Sequence, residues 1–217
     1  MKLAKTFLFI LFFQAVLFSS YGQRKRAFDL EKLYKDNMIY CNCKLQTFSD
    51  GAKTGLFSED KEHSGIAWLK DVKFSNGTIE VDLQGKDLLQ QSFLGIAFHG
   101  INDSTYDAVY FRPFNFQADD SVRKIHAVQY ISMPQYPWDL LRNEHNGIYE
   151  KSINPPPSAD QWIHVKIQVE ESKINVYVNN TSISQLSVAK LNKRKDGNIG
   201  LWFLGNAKFS NLTITPK

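Results

Sequence analysis

The sequence predicts an all-β protein built as a two-sheet antiparallel jelly-roll sandwich. About a dozen short runs either alternate apolar and polar residues or are wholly apolar, and turn signals separate them. Helical periodicity is almost absent. Aromatic residues, which favour strands, make up 13% of the chain. Many short strands joined by turns are typical of sandwiches and jelly rolls.

The length of the chain indicates a single domain. It has 217 residues, of which 43% are hydrophobic. That is enough for one sizeable core, and all-β domains of this length are commonly undivided. No repeat, low-complexity tract or linker interrupts the pattern. We therefore predict one domain over residues 23–217.

The first 22 residues have the features of an export signal. Two lysines precede an apolar run at residues 7–18, and small residues precede a cleavage site before Gln23. The apolar run is too short to anchor the chain across a bilayer. We expect an exported protein, periplasmic or extracellular after the signal is removed, with no membrane span.

The charge and cysteine content argue against a nucleic-acid-binding protein and against a structural zinc site. Without Lys2 and Lys5 the 26 basic residues become 24, against 22 acidic ones, so the net charge falls from +4 to +2. These charges are scattered, which argues against a nucleic-acid partner. Cys41 and Cys43 are the two cysteines. Their spacing suits two small buried residues or a strained local disulfide, and two thiolates are too few for a structural zinc site.

Two strands are marked by strict alternation. Ile79, Val81 and Leu83 share one face of the first, and residues 163–169 of the second place every other residue inward. The remaining strands are apolar runs bounded by turns, such as Asn179-Asn180. Residues 23–36 and 138–142 each suggest a short helical turn. In chain order the predicted strands span residues 38–45, 54–57, 65–69, 73–83, 93–99, 105–112, 126–132, 162–170, 173–178, 181–186, 198–203 and 207–215.

Two loops, at residues 113–125 and 133–161, far exceed the length of a hairpin turn. Long loops in a compact domain tend to carry function. The segment 106–150 spans the first loop and much of the second, and it combines aromatic rings with planar polar groups. Rings cover the apolar face of a sugar and planar groups bracket its hydroxyls. We predict a saccharide cleft in which the binding residues are Tyr110, Arg112, Asn115, Gln129, Tyr130, Trp138 and Arg142.

Several motifs resemble those of a known superfamily. They are the strand segments at residues 77–83 and 93–99, the segment 110–116, the pair Gln129-Tyr130, and the closing pattern of residues 197–202 (GNIGLW) with residues 209–212 (FSNL). Together they resemble the concanavalin A-like lectin/glucanase superfamily over residues 38–215. More narrowly, the chain is similar to secreted bacterial members related to the 3-keto-disaccharide hydrolase domain. The resemblance implies the fold more strongly than the function.

The same resemblance suggests catalytic residues. Laminarinase-like glycosidases of the superfamily carry an E-x-D-x-E strand, to which Glu80, Asp82 and Gln84 would correspond. Because Gln84 replaces the third carboxylate, a retaining hydrolysis with these residues lacks its acid. Glu150 would be a second carboxyl from the long loop. Among the histidines that could act as a general base, His99 is favoured over His126 and His164.

Three functions stay open from the sequence. The first is a secreted carbohydrate-binding domain. The second is a carbohydrate-active enzyme, a glycoside hydrolase or lyase, that uses Glu80, Asp82, Glu150 or His99 in the same cleft. The third is a laminin-G-like domain with a protein partner. No cofactor and no metal site are expected, and the superfamily resemblance allows a structural calcium.

Overall fold

The protein is a β-sandwich of two antiparallel sheets, as the sequence predicts. The computed structural model describes residues 24–51, 53–59 and 64–217. The predicted export signal in residues 1–22 lies outside this part of the chain. Within it, no helix is long and apolar enough to cross a membrane.

Fifteen strands and four short helices are assigned in the described residues. The helices are α1 (Leu30–Asp36), the 3-10 helix η1 (Pro113–Asn115), α2 (Ser121–Lys124) and α3 (Trp138–Glu144). The strands are β1 (Arg26–Phe28), β2 (Met38–Cys41), β3 (Gln46–Ser49), β4 (Thr54–Ser58), β5 (Ser64–Phe74), β6 (Gly77–Gln84), β7 (Ser92–Gly100), β8 (Asp107–Phe111), β9 (Val128–Ser132), β10 (Glu150–Lys151), β11 (Ile163–Val169), β12 (Lys173–Val178), β13 (Leu186–Ala189), β14 (Gly197–Gly205) and β15 (Ala207–Pro216).

The strands form an eight-stranded and a seven-stranded sheet. The eight-stranded sheet has the order β13-β12-β11-β6-β15-β4-β3, and β1 adds to β15. The seven-stranded sheet has the order β10-β9-β8-β7-β14-β5-β2. The runs β7 to β10 and β11 to β13 pair with their neighbours in sequence, whereas β6, β14 and β15 pair with strands that are distant in sequence. The chain therefore passes repeatedly from one sheet to the other.

The two sheets differ in what covers their outer faces. In β11 of the eight-stranded sheet buried and half-buried residues alternate, which shows one face in the core and one in solvent. In β8 and β9 of the seven-stranded sheet every residue is buried. A second apolar cluster on the outer face of that sheet explains this; it contains Ile66, Trp68, Ala97, Tyr106, Ala108, Tyr110, Ile131, Leu141 and Trp202.

Most of the predicted strands are present, with differences at the edges. The predicted strand 38–45 ends at Cys41, after which the chain crosses to β3 in the other sheet. The predicted strand 181–186 is wrong in position. Asn179 and Asn180 have positive φ angles of 52° and 58°, and the chain enters β13 only at Leu186. The short strands β1, β3 and β10 and the helix α2 were not predicted.

Both long loops carry short helices that the sequence only partly indicated. The helix α3 begins at Trp138 as predicted and extends to Glu144. In the first loop, η1 and α2 fold back beside β8, and the Asp120 side chain caps α2 by accepting from the N–H of Val122. These loops border the outer face of the seven-stranded sheet.

Candidate functional site

A cavity of about 810 Å³ opens on the outer face of the seven-stranded sheet. We call it the sheet pocket. Strands β7, β8 and β14 form its floor, and the loops that follow β8 and β9 form its walls. The volume is in the range of small-molecule sites. Most of its lining residues come from the segment 106–150 that the sequence predicted to carry function, and the others, such as Phe93 and Trp202, come from distant strands.

Aromatic rings make the floor of the sheet pocket. The centroids of Tyr110 and Trp202 are 4.5 Å apart with an interplanar angle of 36°. Both residues pair with Gly95, which lies between them in the sheet. A Cβ on Gly95 would come within 2.1 Å of the Val109 carbonyl oxygen and 2.8 Å of the Tyr110 Cβ. Glycine at this position therefore allows the two rings to close over the sheet.

Further contacts hold these rings in place. The indole N–H of Trp202 donates to the Tyr106 hydroxyl at 3.1 Å. The ring of Phe93 lies 6.3 Å from that of Tyr110. Burial raises the pKa of Tyr110 to about 12, so its hydroxyl stays protonated at physiological pH. The floor is thus a fixed apolar surface with a hydroxyl at its edge.

Arg112 connects the floor to the wall. The residue is 5% exposed, and its side chain donates to the His126 carbonyl oxygen at 2.9 Å and to the Tyr110 hydroxyl at 2.7 Å. It also donates to Gln129 Oε1, which accepts from the Tyr110 hydroxyl as well. The guanidinium stacks over the Tyr110 ring at 4.8 Å. A buried cation of this kind fixes the direction of every group around it.

Glu150 lies behind the wall of the pocket and contacts three side chains, those of Arg142, Arg112 and His126. Its carboxylate, 2% exposed, accepts two hydrogen bonds from Arg142, at 3.1 Å from Nε and 2.9 Å from Nη2. Arg112 Nη1 lies 3.8 Å away. His126 Nδ1 lies 2.7 Å from Oε2, at ion-pair distance, although its N–H is not aligned as in a hydrogen bond.

His126 is the histidine that lines the sheet pocket. Its contact with Glu150 uses Nδ1, and no hydrogen bond or ion pair to its Nε2 is present among the described residues. Burial lowers the pKa of His126, and the charges of Arg142 and Arg112 act in the same direction, while Glu150 opposes them. The neutral imidazole is therefore the main form at pH 7. The carboxylate favours a proton on Nδ1, which leaves the lone pair of Nε2 free to accept a proton.

The structure brings most of the predicted binding residues to this pocket. Gln129 lies just beneath the floor, where its Nε2 is 3.5 Å from the Trp138 carbonyl oxygen. Trp138 is 48% exposed at the mouth, and the Arg142 guanidinium lies 5.0 Å from its ring centre. The predicted residues that line the pocket are Tyr110, Arg112, Asn115, Trp138 and Arg142. Their roles in binding stay predictions.

Two predicted residues lie elsewhere in the seven-stranded sheet. Tyr130 points into the sandwich core, and its hydroxyl donates to Asp107 Oδ1 at 3.0 Å. His99 is fully buried between two acceptors, Asp107 Oδ2 at 3.0 Å and the Ser75 carbonyl oxygen at 2.6 Å. Neither ring nitrogen of His99 is open to a ligand. This placement corrects the expectation that His99 is the best-placed base. His99 lies at the buried end of β7, where both of its ring nitrogens are already paired with protein acceptors.

Glu80 and Asp82 lie on the outer face of the eight-stranded sheet, on the far side of the sandwich from the sheet pocket. Glu80 pairs with Lys25 at 2.5 Å, and Asp82 pairs with Lys53 at 2.5 Å and His164 at 2.8 Å. Burial alone would raise the pKa of Asp82, but its bonds with Lys53 and His164 lower it overall. The expectation that Glu80, Asp82 and Glu150 share one cleft is therefore wrong.

Several lining residues are not predicted from the sequence, namely Arg123, Trp202, Tyr106 and Phe93. His126 also lines the pocket, although the sequence favours His99 as the base. One signal could have found His126. If residues 105–112 and 126–132 are paired as neighbouring strands, Phe111 faces Val128, and His126 then lies beside the end of Arg112. The tryptophan of the closing motif gave no such signal, because its partner strand β7 is distant in sequence.

No group of three or more His, Cys, Asp or Glu side chains in the described residues is arranged to hold a metal ion. A structural calcium bound mainly through carbonyl oxygens would leave no such group, so that expectation stays a prediction. Cys41 and Cys43 do not form a disulfide with each other, and the Cys43 thiol donates to the Ile66 carbonyl oxygen at 3.4 Å. This corrects the alternative of a local disulfide.

Comparison with known proteins assigns the family. The family model described as the 3-keto-alpha-glucoside-1,2-lyase-like domain matches residues 23–215. The chain belongs to this family. The match spans almost the whole described chain and confirms the narrower resemblance seen in the sequence. No curated protein matches the chain in sequence.

Several solved structures share the fold of this chain but have little sequence identity to it. The carbohydrate-binding module CBM66 from Bacillus subtilis has a TM-score of 0.58 and 14% identity, covering 83% of this chain and 98% of that one. A protein of unknown function with a galectin-like fold, also from Bacillus subtilis, has a TM-score of 0.59 and 12% identity, covering 86% and 91%. A glycosidic hydrolase has a TM-score of 0.57 and 12% identity, covering 90% and 97%. These likenesses confirm the concanavalin A-like fold.

Proposed function

We propose that the sheet pocket binds a saccharide. The observation that carries this proposal is the aromatic floor of Tyr110 and Trp202 with Arg112 at its edge. A sugar ring has an apolar C–H face, which packs on aromatic rings, and a rim of hydroxyls, which accept from guanidinium groups. Trp138 at the mouth offers a further ring. The family and the fold it shares with a carbohydrate-binding module support the same class of ligand.

Calorimetric titration of the mature protein tests this proposal. The family description favours α-linked glucose disaccharides, so trehalose and maltose are the first ligands. We expect Trp138→Ala to weaken binding about tenfold, because it removes an exposed stacking ring without touching the core. Trp162→Ala is the matched control, since Trp162 stacks on Phe48 at 5.8 Å on the other sheet. Equal affinities of wild type and Trp138→Ala would contradict the proposal.

A second candidate function is 1,2-elimination from a 3-keto glycoside, for which His126 is the specific observation. A ketone at C3 acidifies the hydrogen on C2. Nε2 of His126 would take this proton, and the electrons of the C2–H bond would form an enolate at C3. When the C3 carbonyl re-forms, the electrons of the C2=C3 double bond form a C1=C2 double bond and the glycosidic C1–O bond breaks. The leaving oxygen then takes back the proton held on Nε2 of His126. The arginines of the pocket would stabilise the enolate charge.

Turnover of 3-keto-trehalose tests this second function, and the release of glucose is the quantity measured. We expect His126→Gln to lower kcat by about a hundredfold or more while 3-keto-trehalose still binds. His164→Gln, on the opposite sheet, is the matched control and should retain the wild-type rate. Binding without turnover by the wild type would leave the protein a binding domain. A laminin-G-like protein partner has less support, because the seven-stranded sheet carries a pocket rather than a flat surface.

We also propose that the chain is exported and that residues 1–22 are removed. The family match begins at residue 23, next to the predicted cleavage site. Amino-terminal sequencing of the protein from the periplasmic and extracellular fractions tests this. A start at Gln23 is expected, and an intact Met1 in the cytoplasmic fraction alone would contradict it.

A further inference from the structure

The charge of the sheet pocket is not explained by a neutral sugar. Three arginines line it, namely Arg112, Arg123 and Arg142, together with His126. None of the described residues that line it is an Asp or a Glu. The one carboxylate in contact with these cations is Glu150, which lies behind the wall and is 2% exposed. Three guanidinium charges thus face one buried carboxylate.

Arg123 has a charge that no described carboxylate neutralises at ion-pair distance. Its Nε donates to Asn115 Oδ1 at 3.2 Å and its Nη2 donates to the Phe114 carbonyl oxygen at 2.6 Å. Both acceptors are neutral. They orient the guanidinium and leave three of its five N–H groups available. Arg123 also lines a smaller cavity of about 270 Å³ together with Asp87, Asp119 and Asp160, none of which lies within ion-pair distance of it.

Arg142 is oriented in the same way. Its two bonds to Glu150 use Nε and Nη2, and three N–H groups remain. The side chain is 28% exposed and lies over Trp138 at the mouth of the pocket. Arg112, beneath it, shares the Glu150 charge at 3.8 Å. One carboxylate therefore serves two arginines, and Arg123 adds a third charge.

We propose that the saccharide bound in the sheet pocket carries an anionic substituent, a carboxylate or a sulfate, which the open N–H groups of Arg123 and Arg142 recognise. This inference rests on the proposed saccharide binding. A guanidinium matches both oxyanions through paired hydrogen bonds. Such bonds are stronger than those to hydroxyls and persist in a pocket that is partly closed to solvent.

The test compares matched ligands in the wild-type protein. Trehalose, its 6-carboxylate and its 6-sulfate are titrated by calorimetry at low ionic strength and again in 0.5 M NaCl. We expect at least one acidic form to bind about tenfold or more tightly than trehalose, and salt to reduce that ratio. The stronger of the two acidic forms then identifies the substituent. The same comparison with maltose and its acidic forms removes dependence on one linkage.

Two variants test whether the preference for acidic sugars comes from the sheet pocket. Arg123→Gln should lower the ratio of acidic to neutral affinity several-fold. Lys166→Gln removes a cation over Tyr177 on the opposite sheet and should leave the ratio unchanged. Equal affinities for neutral and acidic sugars would overturn this inference but not the saccharide proposal. The arginines would then act on the charge that develops during elimination. If no sugar of the set binds, both proposals are overturned.

Discussion

At the scale of single residues, His126 is the group whose position decides between a binding pocket and a reactive one. It lines the pocket, faces Glu150 on one side of its ring and has an unengaged nitrogen on the other. Histidine at a pocket wall can serve as a base only in its neutral form. Burial and two neighbouring guanidinium groups keep it neutral at pH 7.

The pH dependence of turnover follows from this environment. Because the pKa of His126 lies below its usual value of 6.5, protonation should remove activity only in acid. We expect kcat/KM for 3-keto-trehalose to fall as pH decreases, with a midpoint below 6.5. Glu150 raises the pKa of His126, so Glu150→Gln should move that midpoint to still lower pH. A midpoint above 6.5, or one that rises in Glu150→Gln, would contradict the assignment.

Single residues also mark the limit of prediction from sequence. Arg112 and Trp138 could be selected because they stand in outsized loops beside aromatics. Glu150 was selected as a carboxylate but contacts the site through Arg142 and His126 rather than directly. Glu80 and Asp82 alternate on a strand as an acidic pair would in an active site. Alternation alone does not tell which of the two sheets their strand joins.

At the scale of elements, the second long loop is fixed by an ion pair between α3 and β10. Arg142 in α3 is joined by two hydrogen bonds to Glu150 at the start of β10. The strand β10 pairs with β9 through Glu150 and Lys151. This pair holds Trp138 at the mouth of the pocket. Removing Arg142 would leave the buried Glu150 carboxylate without its two hydrogen bonds, and removing Glu150 would leave two guanidinium charges without their shared carboxylate.

We expect Glu150→Gln to lower the free energy of unfolding by about 3 kcal/mol, since Arg142 and Arg112 would lose their shared carboxylate. Urea unfolding measures it. Glu171→Gln, at an exposed turn, is the control and should change stability by less than about 0.5 kcal/mol. Replacing Arg142 by Gln in the same chain should recover part of the loss. A neutral effect of Glu150→Gln would show that the pair does not hold the loop.

Elements differ in how well their sequence predicts them. The strand β11 is evident because only one of its faces is buried, so polar and apolar residues alternate. The strands β8 and β9 are buried on both faces and therefore give no clue to which face points outward. Short edge strands such as β10 have two residues and form only because a neighbour is already in place. Their existence depends on tertiary contacts, which local pattern does not contain.

At the scale of the whole molecule, a buried network at the start of β8 joins the two sheets. The Asp107 carboxylate accepts from Tyr130, from His99 and, at 3.0 Å, from Arg194. Asn192 also donates to it. Arg194 and Asn192 lie in the connection between β13 of one sheet and β14 of the other. The network therefore ties this crossover to the seven-stranded sheet.

Asp107 should contribute to stability in a pH-dependent way. Burial alone would raise its pKa, but the hydrogen bond from His99 and the charge of Arg194 outweigh burial, so the pKa is lowered. Its contribution is therefore present above pH 3.8 and is lost as pH falls through the lower folded value. We expect Asp107→Asn to cost about 3 kcal/mol at pH 7 and much less near pH 3, measured by urea unfolding. A cost independent of pH would refute the charged role of Asp107.

The overall architecture was predictable because the sandwich follows from alternation, turns and composition, which are local properties. The sheet pocket was predictable only in part. Its walls come mainly from one contiguous segment. Its floor needs Trp202, Gly95 and Tyr110 side by side, and these residues lie on three strands that are adjacent only in the folded sheet. The excess of arginine over carboxylate also appears only after folding, because scattered charges carry no such pattern in sequence.

The central claim, that a saccharide binds on the aromatic floor, is tested most directly by NMR of the tryptophan indole N–H groups. The chain has four tryptophans, so four indole signals are expected and can be assigned by single Trp→Phe variants. During titration with trehalose or its acidic forms, the signals of Trp202 and Trp138 should shift with one common Kd. The signal of Trp162, on the opposite sheet, should stay in place. A shift confined to Trp162, or no shift at saturating sugar, would contradict the account.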